Sequence, residues 1–246
     1  MKWKKSIWVV FAISLFLVLP LSVQANTFEL SGTDMSVEID DSEWLVFTRD
    51  TIEDDAMMEE LGASYDDLHD ILYNNDAYMD AVLYGEYGDF VELIIRKTEQ
   101  DPGKVNLSNY SDEDVLEFAE ALAERQGADD YSIYETEYKF VRAEYKDKNV
   151  DYYICEYVTI VNKESYTLTF QSPTKYDEED YEVITEIVES VSFDVDASLK
   201  EKTQDSFGKT VMFGAIKGAI IGGISGGLAA WIIKITKAKK NKKEEQ

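Results

Sequence analysis

Two side chains with reactive chemistry of their own occur once each in this sequence, His69 and Cys155. His69 is flanked by Asp66 and Asp70, a setting for a general base or a metal ligand. A zinc site wants three protein ligands, and here only carboxylates would supply the rest. A Ser-His-Asp arrangement has the residue types, but no nucleophile-elbow motif appears. At its helical spacing His69 lies beside an apolar face, so it reads as a boundary residue with an aspartate neighbour. Cys155 sits between Ile154 and Glu156 in an apolar run. A reactive thiol needs an open, electropositive setting, so Cys155 reads as buried and inert. A single cysteine also excludes an intramolecular disulfide.

The acidic residues are the other candidates. They cluster at Asp50 to Glu60, Asp112-Glu113-Asp114, Asp129-Asp130 and Asp177 to Asp180. None has the spacing of an EF-hand loop. Two clusters fall at expected helix N-termini, where carboxylates favour the helix dipole. The sequence therefore assigns no catalytic, cofactor or metal set. All sixteen tyrosines lie between the two ends of the chain. Exposed, they would stack on sugars or build protein interfaces; in strands, they suit half-buried positions.

Charge sharpens the picture. The chain of 246 residues carries −26, but residues 26–209 hold 48 Asp/Glu against 14 Lys/Arg, a net of −34. Such a segment repels anionic surfaces and attracts cations or basic proteins. Nucleic-acid binding is excluded, because phosphate contacts need a basic patch.

The elements that must position these residues follow from periodicity. Residues 27–49 read as a hairpin with Gly32 in its turn, then the strand Trp44-Leu45-Val46-Phe47. A helix is expected over 51–62 and another from Ser64 to Asn74-Asn75, with Tyr65, Leu68, Ile71 and Leu72 on its apolar face. Strands follow at 77–84 and 89–98 around the loop Gly85-Glu86-Tyr87-Gly88. In the second, Val91, Leu93 and Ile95 alternate with Glu92 and Arg96. After the turn Asp101-Pro102-Gly103, Ser111 caps a helix to Gln126, closed by Gly127. Strands are expected at 131–138, 140–146, 150–161 and 165–171. The stretch Tyr152 to Val161 is apolar on both faces and should be covered twice. Asp177 opens a last helix with Tyr181, Ile184, Ile187 and Val188 inside, and residues 191–195 form a short strand.

Both ends read as membrane signals. Residues 1–25 resemble a signal peptide: Lys2, Lys4 and Lys5, an apolar run from Ile7 to Leu19, then Val23-Gln24-Ala25 as a cleavage site before Asn26. An uncleaved anchor is the alternative reading of the same run. Residues 197–210 read as a polar tether and 211–235 as a transmembrane helix, with Lys217 near its outer end and Trp231 near the inner boundary. Lys234, Lys237, Lys239, Lys240, Lys242 and Lys243 follow, in or beside the tail 236–246, and a basic cluster beside a span stays cytoplasmic. Gly214, Gly218, Gly222 and Gly226 form a four-residue stripe that would let the helix associate with itself or with a partner helix.

The order of elements in residues 26–196 resembles the PsbP-like α/β sandwich, including its DcrB-like members. Four features carry the resemblance. They are the N-terminal hairpin with Trp44-Leu45-Val46-Phe47, the helix Ser111 to Gln126, the meander through Tyr152-Tyr153-Ile154-Cys155 and Tyr166-Thr167-Leu168-Thr169-Phe170, and the final helix running into Ile187-Val188-Glu189-Ser190-Val191-Ser192-Phe193. The helical segment near 51–75 departs from that pattern. The resemblance implies an α+β fold, an antiparallel sheet with helices packed on it, and no shared catalytic set. With one C-terminal transmembrane helix added, the expectation is a non-enzymatic, single-pass surface module of bacterial type. Its domain would lie outside, its tail in the cytoplasm, and its partner would be an envelope protein or wall component. The alternatives are an extracellular hydrolase using His69 and carboxylates, and a structural or stress-related envelope protein without a specific ligand.

Overall fold

The computed structural model describes residues 25–51, 64–85, 89–99, 105–128, 130–147 and 151–199. The fold is α+β. A seven-stranded antiparallel sheet has the order β3-β4-β5-β9-β8-β7-β6, from Trp44–Thr48 (β3), Ala77–Tyr84 (β4), Phe90–Glu99 (β5), Asp130–Glu135 (β6), Lys139–Asp147 (β7), Tyr152–Val161 (β8) and Glu164–Ser172 (β9). A smaller sheet joins Asn26–Glu29 (β1), Met35–Ile39 (β2) and Ser192–Phe193 (β10) in the order β1-β2-β10. Three helices are described: α1 (Tyr65–Asn74), α2 (Asp112–Gln126) and α3 (Glu178–Ser190).

The large sheet is covered on both faces. One face meets the small sheet and α3 through Val37, Ile39, Met79, Leu93, Tyr157, Leu168, Phe170, Ile184 and Val188. On the other face α1 packs Leu68 and Leu72 against Phe47, Val82 and Ile94. Beside it α2 packs Val115, Phe118 and Leu122 against Val141, Val158 and Ile160. Each such side chain, fully buried, is worth about 1.5–3 kcal/mol. Double cover explains why β8 and β9 are buried almost throughout, as the two-faced apolar run of β8 predicts.

Local chemistry sets the ends of the helices. Ser64 and Ser111 accept from Asp67 N–H and Asp114 N–H. Asp177 and Asp180 form a reciprocal capping box at α3, so that acidic run is spent on the helix start. Gly127 ends α2 in the left-handed conformation, φ +67°. Gly32 turns the β1–β2 hairpin at φ +83°.

Two expectations need revision. The β6–β7 turn falls at residues 136–138, not at 139, because Thr136 N–H donates to Tyr138 C=O at 2.9 Å and its hydroxyl accepts from Tyr138 N–H. The last strand, expected over 191–195, is limited to Ser192–Phe193 (β10), and it joins the N-terminal hairpin in a second sheet. Tyr78 is an extra residue in β4, between the pairs Ala77↔Arg96 and Met79↔Ile95. Such a bulge redirects one side chain out of the alternation. The helix expected over 51–62, the signal segment and the chain from residue 200 onward lie outside the described residues.

Candidate functional site

A row of ionisable side chains is enclosed at the centre of the large sheet, on the face that carries α1 and α2. Asp80 comes from β4, Glu92 and Arg96 from β5, and Glu156 from β8; all four are at most 2% exposed. Register brings them together: Glu92 lies opposite Gln171, Arg96 opposite Thr167, and Glu156 opposite Thr169. Gln171 Nε2 donates to Glu92, Gln126 Nε2 donates to Glu156, and Thr169 Oγ1 donates to Glu156 at 3.4 Å. Arg96 Nε donates to the Asn75 carbonyl at 2.9 Å. Among the described residues Arg96 Nη1 and Nη2, Asp80 Oδ1 and Gln126 Oε1 have no hydrogen-bond partner. Burial pushes the Glu156 carboxyl up to about 7, with Gln126 and Arg96 pulling the other way. Burial and the adjacent Glu92 also raise Asp80 well above the usual carboxylate range. Burial lowers Arg96, opposed by Asp80, Glu156 and Glu92.

The opposite face carries a tyrosine-lined cleft of about 390 Å3 between the β7–β8 end of the sheet and the start of α3. Tyr153, Tyr176 and Tyr181 supply rings, and Glu144, Lys146 and Lys175 supply charge. The walls are fixed. Tyr181 Oη donates to Glu144 at 3.0 Å, and Tyr176 Oη donates to the Tyr153 carbonyl at 3.0 Å. Glu144 also pairs with Arg142, whose guanidinium lies 5.7 Å from the Tyr181 ring centroid. Lys146 sits 4.9 Å over the Tyr153 ring and 2.7 Å from Asp151. Burial, with Glu144 next, pushes the Tyr181 hydroxyl up to about 12, so it stays a proton donor at any physiological pH. The arrangement offers ring faces, two lysines and one anchored carboxylate.

His69 is not in either place. Its ring lies 4.1 Å from Tyr65 and 5.6 Å from Tyr73, centroid to centroid, and Nε2 is buried without a hydrogen-bond partner among the described residues. Tyr73 continues the stack to Arg49, whose guanidinium is 4.5 Å from the Tyr73 centroid and 3.8 Å from that of Tyr78, the bulged residue. His69 is thus one member of an aromatic and cationic ladder that fastens α1 to the sheet. Cys155 is fully buried, and burial pushes its thiol up to about 12; Sγ is 3.7 Å from Glu144 Oε1. Ala25 and Asn26 are exposed at the start of β1, where Asn26 pairs with Ile39. The glycine stripe and the six tail lysines lie outside the described residues.

Among the described residues no three His, Cys, Asp or Glu side chains converge in a way that would hold a metal ion. No helix among them is long and apolar enough to cross a membrane. Sequence reading did not single out Asp80, Glu92, Arg96 or Gln171. The one available signal was Glu156, a lone charge inside an otherwise doubly apolar strand. Comparison with protein-family models gives no match, and comparison with curated proteins gives none either.

Proposed function

We propose that this chain is a non-enzymatic recognition module anchored at a bacterial-type cell surface, and that the tyrosine-lined cleft is its contact surface. Residues 1–25 would direct export and 211–235 would anchor the chain. Gly214, Gly218, Gly222 and Gly226 would meet a second copy or a partner helix, with the tail 236–246 in the cytoplasm. The PsbP-like resemblance supports the same reading through a fold that carries binding and accessory roles. The single observation behind the binding role is the cleft, where rings and lysines gather at one place in a strongly acidic domain. Tyr153 and Tyr181 are half-buried, and a ring whose hydroxyl is already bonded, as that of Tyr181 is to Glu144, is prepared to receive a partner at little conformational cost. The ligand class is an envelope protein or wall component presenting an apolar or ring face to the tyrosines. Strongly anionic polymers are disfavoured by the surrounding charge.

The test is photo-cross-linking in living cells. A photoreactive residue at Lys175, on the cleft, should give a discrete adduct. The same residue at Leu116, exposed on α2, should not. No adduct from the cleft, or equal labelling at both positions, removes the reading.

A further inference from the structure

The enclosed row of Asp80, Glu92, Arg96 and Glu156 has a property that neither packing nor ligand recognition explains. It fastens the C-terminal ends of two helices. The last turn of α1 hands its Asn75 carbonyl to Arg96 Nε at 2.9 Å, and the last residue of α2, Gln126, is bound through its side chain to Glu156. The α1 and α2 hydrophobic clusters are separate, so this polar row is a bridge between them.

Charge counting restricts its states. One guanidinium balances one carboxylate, so an uncharged row requires two protons on the three carboxyls. A further negative charge in a closed interior is costly. The carboxyl-rich row also lies beside two helix C-termini, which carry partial negative charge of their own. Asp80 and Glu92 meet side chain to side chain, which accounts for one shared proton. The second proton belongs on Glu156. The unpartnered Oε1 of Gln126 is the acceptor that a protonated Glu156 would use after rotation of the amide.

We propose that this row is a proton-operated latch, holding the C-terminal ends of α1 and α2 on the sheet when uncharged and loosening them when one proton leaves. The groups facing it from each packed element fit that role. Tyr84 on β4, Tyr145 on β7, Tyr152 on β8 and Asp76 after α1 couple to the row without neutralising a carboxylate, and Asp147 on β7 acts on Tyr145. β9 supplies only Thr167, Thr169 and Gln171, and α2 supplies the neutral Gln126. On α1, Asp66, Asp67 and Asp70 are exposed, and His69 is held between Tyr65 and Tyr73. Arg96 is the row's only cation, and its Nη1 and Nη2 have no hydrogen-bond partner among the described residues.

The test is amide hydrogen exchange on the full-length chain at about pH 5.5 and about pH 8.5, corrected for intrinsic exchange. Residues 70–76 and 120–128 should be protected about tenfold or more at the lower pH, a gain larger than the one that the change in global stability gives β9. Glu156→Gln, which fixes a neutral side chain, should remove the difference. Carbon NMR of labelled glutamate side chains on the unaltered chain gives a readout that needs no variant. One carboxyl should titrate apart from the others and near neutrality. Equal protection of both helix ends at the two pH values would overturn the latch. So would a Glu156 that titrates with the surface glutamates, or a pH response that survives Glu156→Gln. Cross-linking through the cleft is indifferent to all three outcomes.

Discussion

Glu156 is the residue whose environment departs furthest from its sequence neighbours' chemistry. An acid buried at about 7 keeps its proton while the unfolded chain releases it in the ordinary carboxylate range. The folded state therefore binds more protons in that window, and stability falls as pH rises through it, levelling off above about 7. A shift of this size corresponds to about 3 kcal/mol. Denaturant melts of the wild-type chain from mildly acid to mildly alkaline pH should show this decline, and Glu156→Gln should remove the share that Glu156 contributes, leaving the share of the raised Asp80. A slope identical in the two proteins would remove Glu156 as its source. Arg49 makes a different kind of contribution. Its guanidinium lies between the Tyr73 and Tyr78 rings and donates from Nε to the Ala77 carbonyl at 2.7 Å. Arg49→Ala should cost about 1–3 kcal/mol in the same melts, from the lost stacking and the unpaired carbonyl.

Elements end where the backbone needs an unusual conformation, and those points predict sign as well as size. Gly127 holds φ +67° after α2, and a Cβ added there would meet nothing within 4 Å. Gly127→Ala should therefore cost only the left-handed strain, about 1 kcal/mol, as a lower thermal midpoint. The β8–β9 hairpin shows the reverse. Asn162 and Lys163 both have positive φ, +52° and +70°. Asn162 has a reason to stay: its side chain donates to Asp34 and to the Asp194 carbonyl, and accepts from Asp196 N–H at 2.9 Å. It clamps the chain as it leaves β10. Among the described residues the Lys163 side chain makes no such bond and only a charge interaction with Asp196, so Lys163→Gly should raise stability by about 0.5–1 kcal/mol. A loss on that change would show that the lysine makes a contact worth more than its strain.

At the scale of the whole molecule, the two basic ends and the acidic middle make a topology prediction. Protease added to intact cells should remove the residues of the sheets and helices and spare a fragment containing Lys234 to Lys243. Antibodies against each end read the result by blot; a protected domain with a digested tail inverts the proposed orientation. The two-faced sheet adds a constraint. Both faces carry packed elements among the described residues, and the proposed contact surface is the cleft at one end of the sheet.

Much of the architecture was legible because local rules and global packing agree. Ser64, Ser111 and Asp177 start helices, Gly32 and Gly127 turn the chain, and β8 reads as doubly covered because, Glu156 and Thr159 apart, both of its alternating sets of positions are apolar or aromatic. The alternation in β5 was ambiguous. Val91, Leu93 and Ile95 against Glu92 and Arg96 has the period of a strand with one wet face. Only the tertiary structure closes that second face, by placing β5 between β4 and β9 beneath two helices. Charge alone could not reveal this, since a buried acid and an exposed acid are the same letter. The cleft is likewise a tertiary product: Tyr153 from β8 and Tyr181 from α3 are 28 positions apart in sequence and share one wall. By itself the sequence determined the elements, their caps and the segregation of charge, because these depend on neighbours within a turn or a strand. The tertiary structure decided which acids lose water and which tyrosines meet, because solvent exclusion and convergence are set by residues far away in the chain.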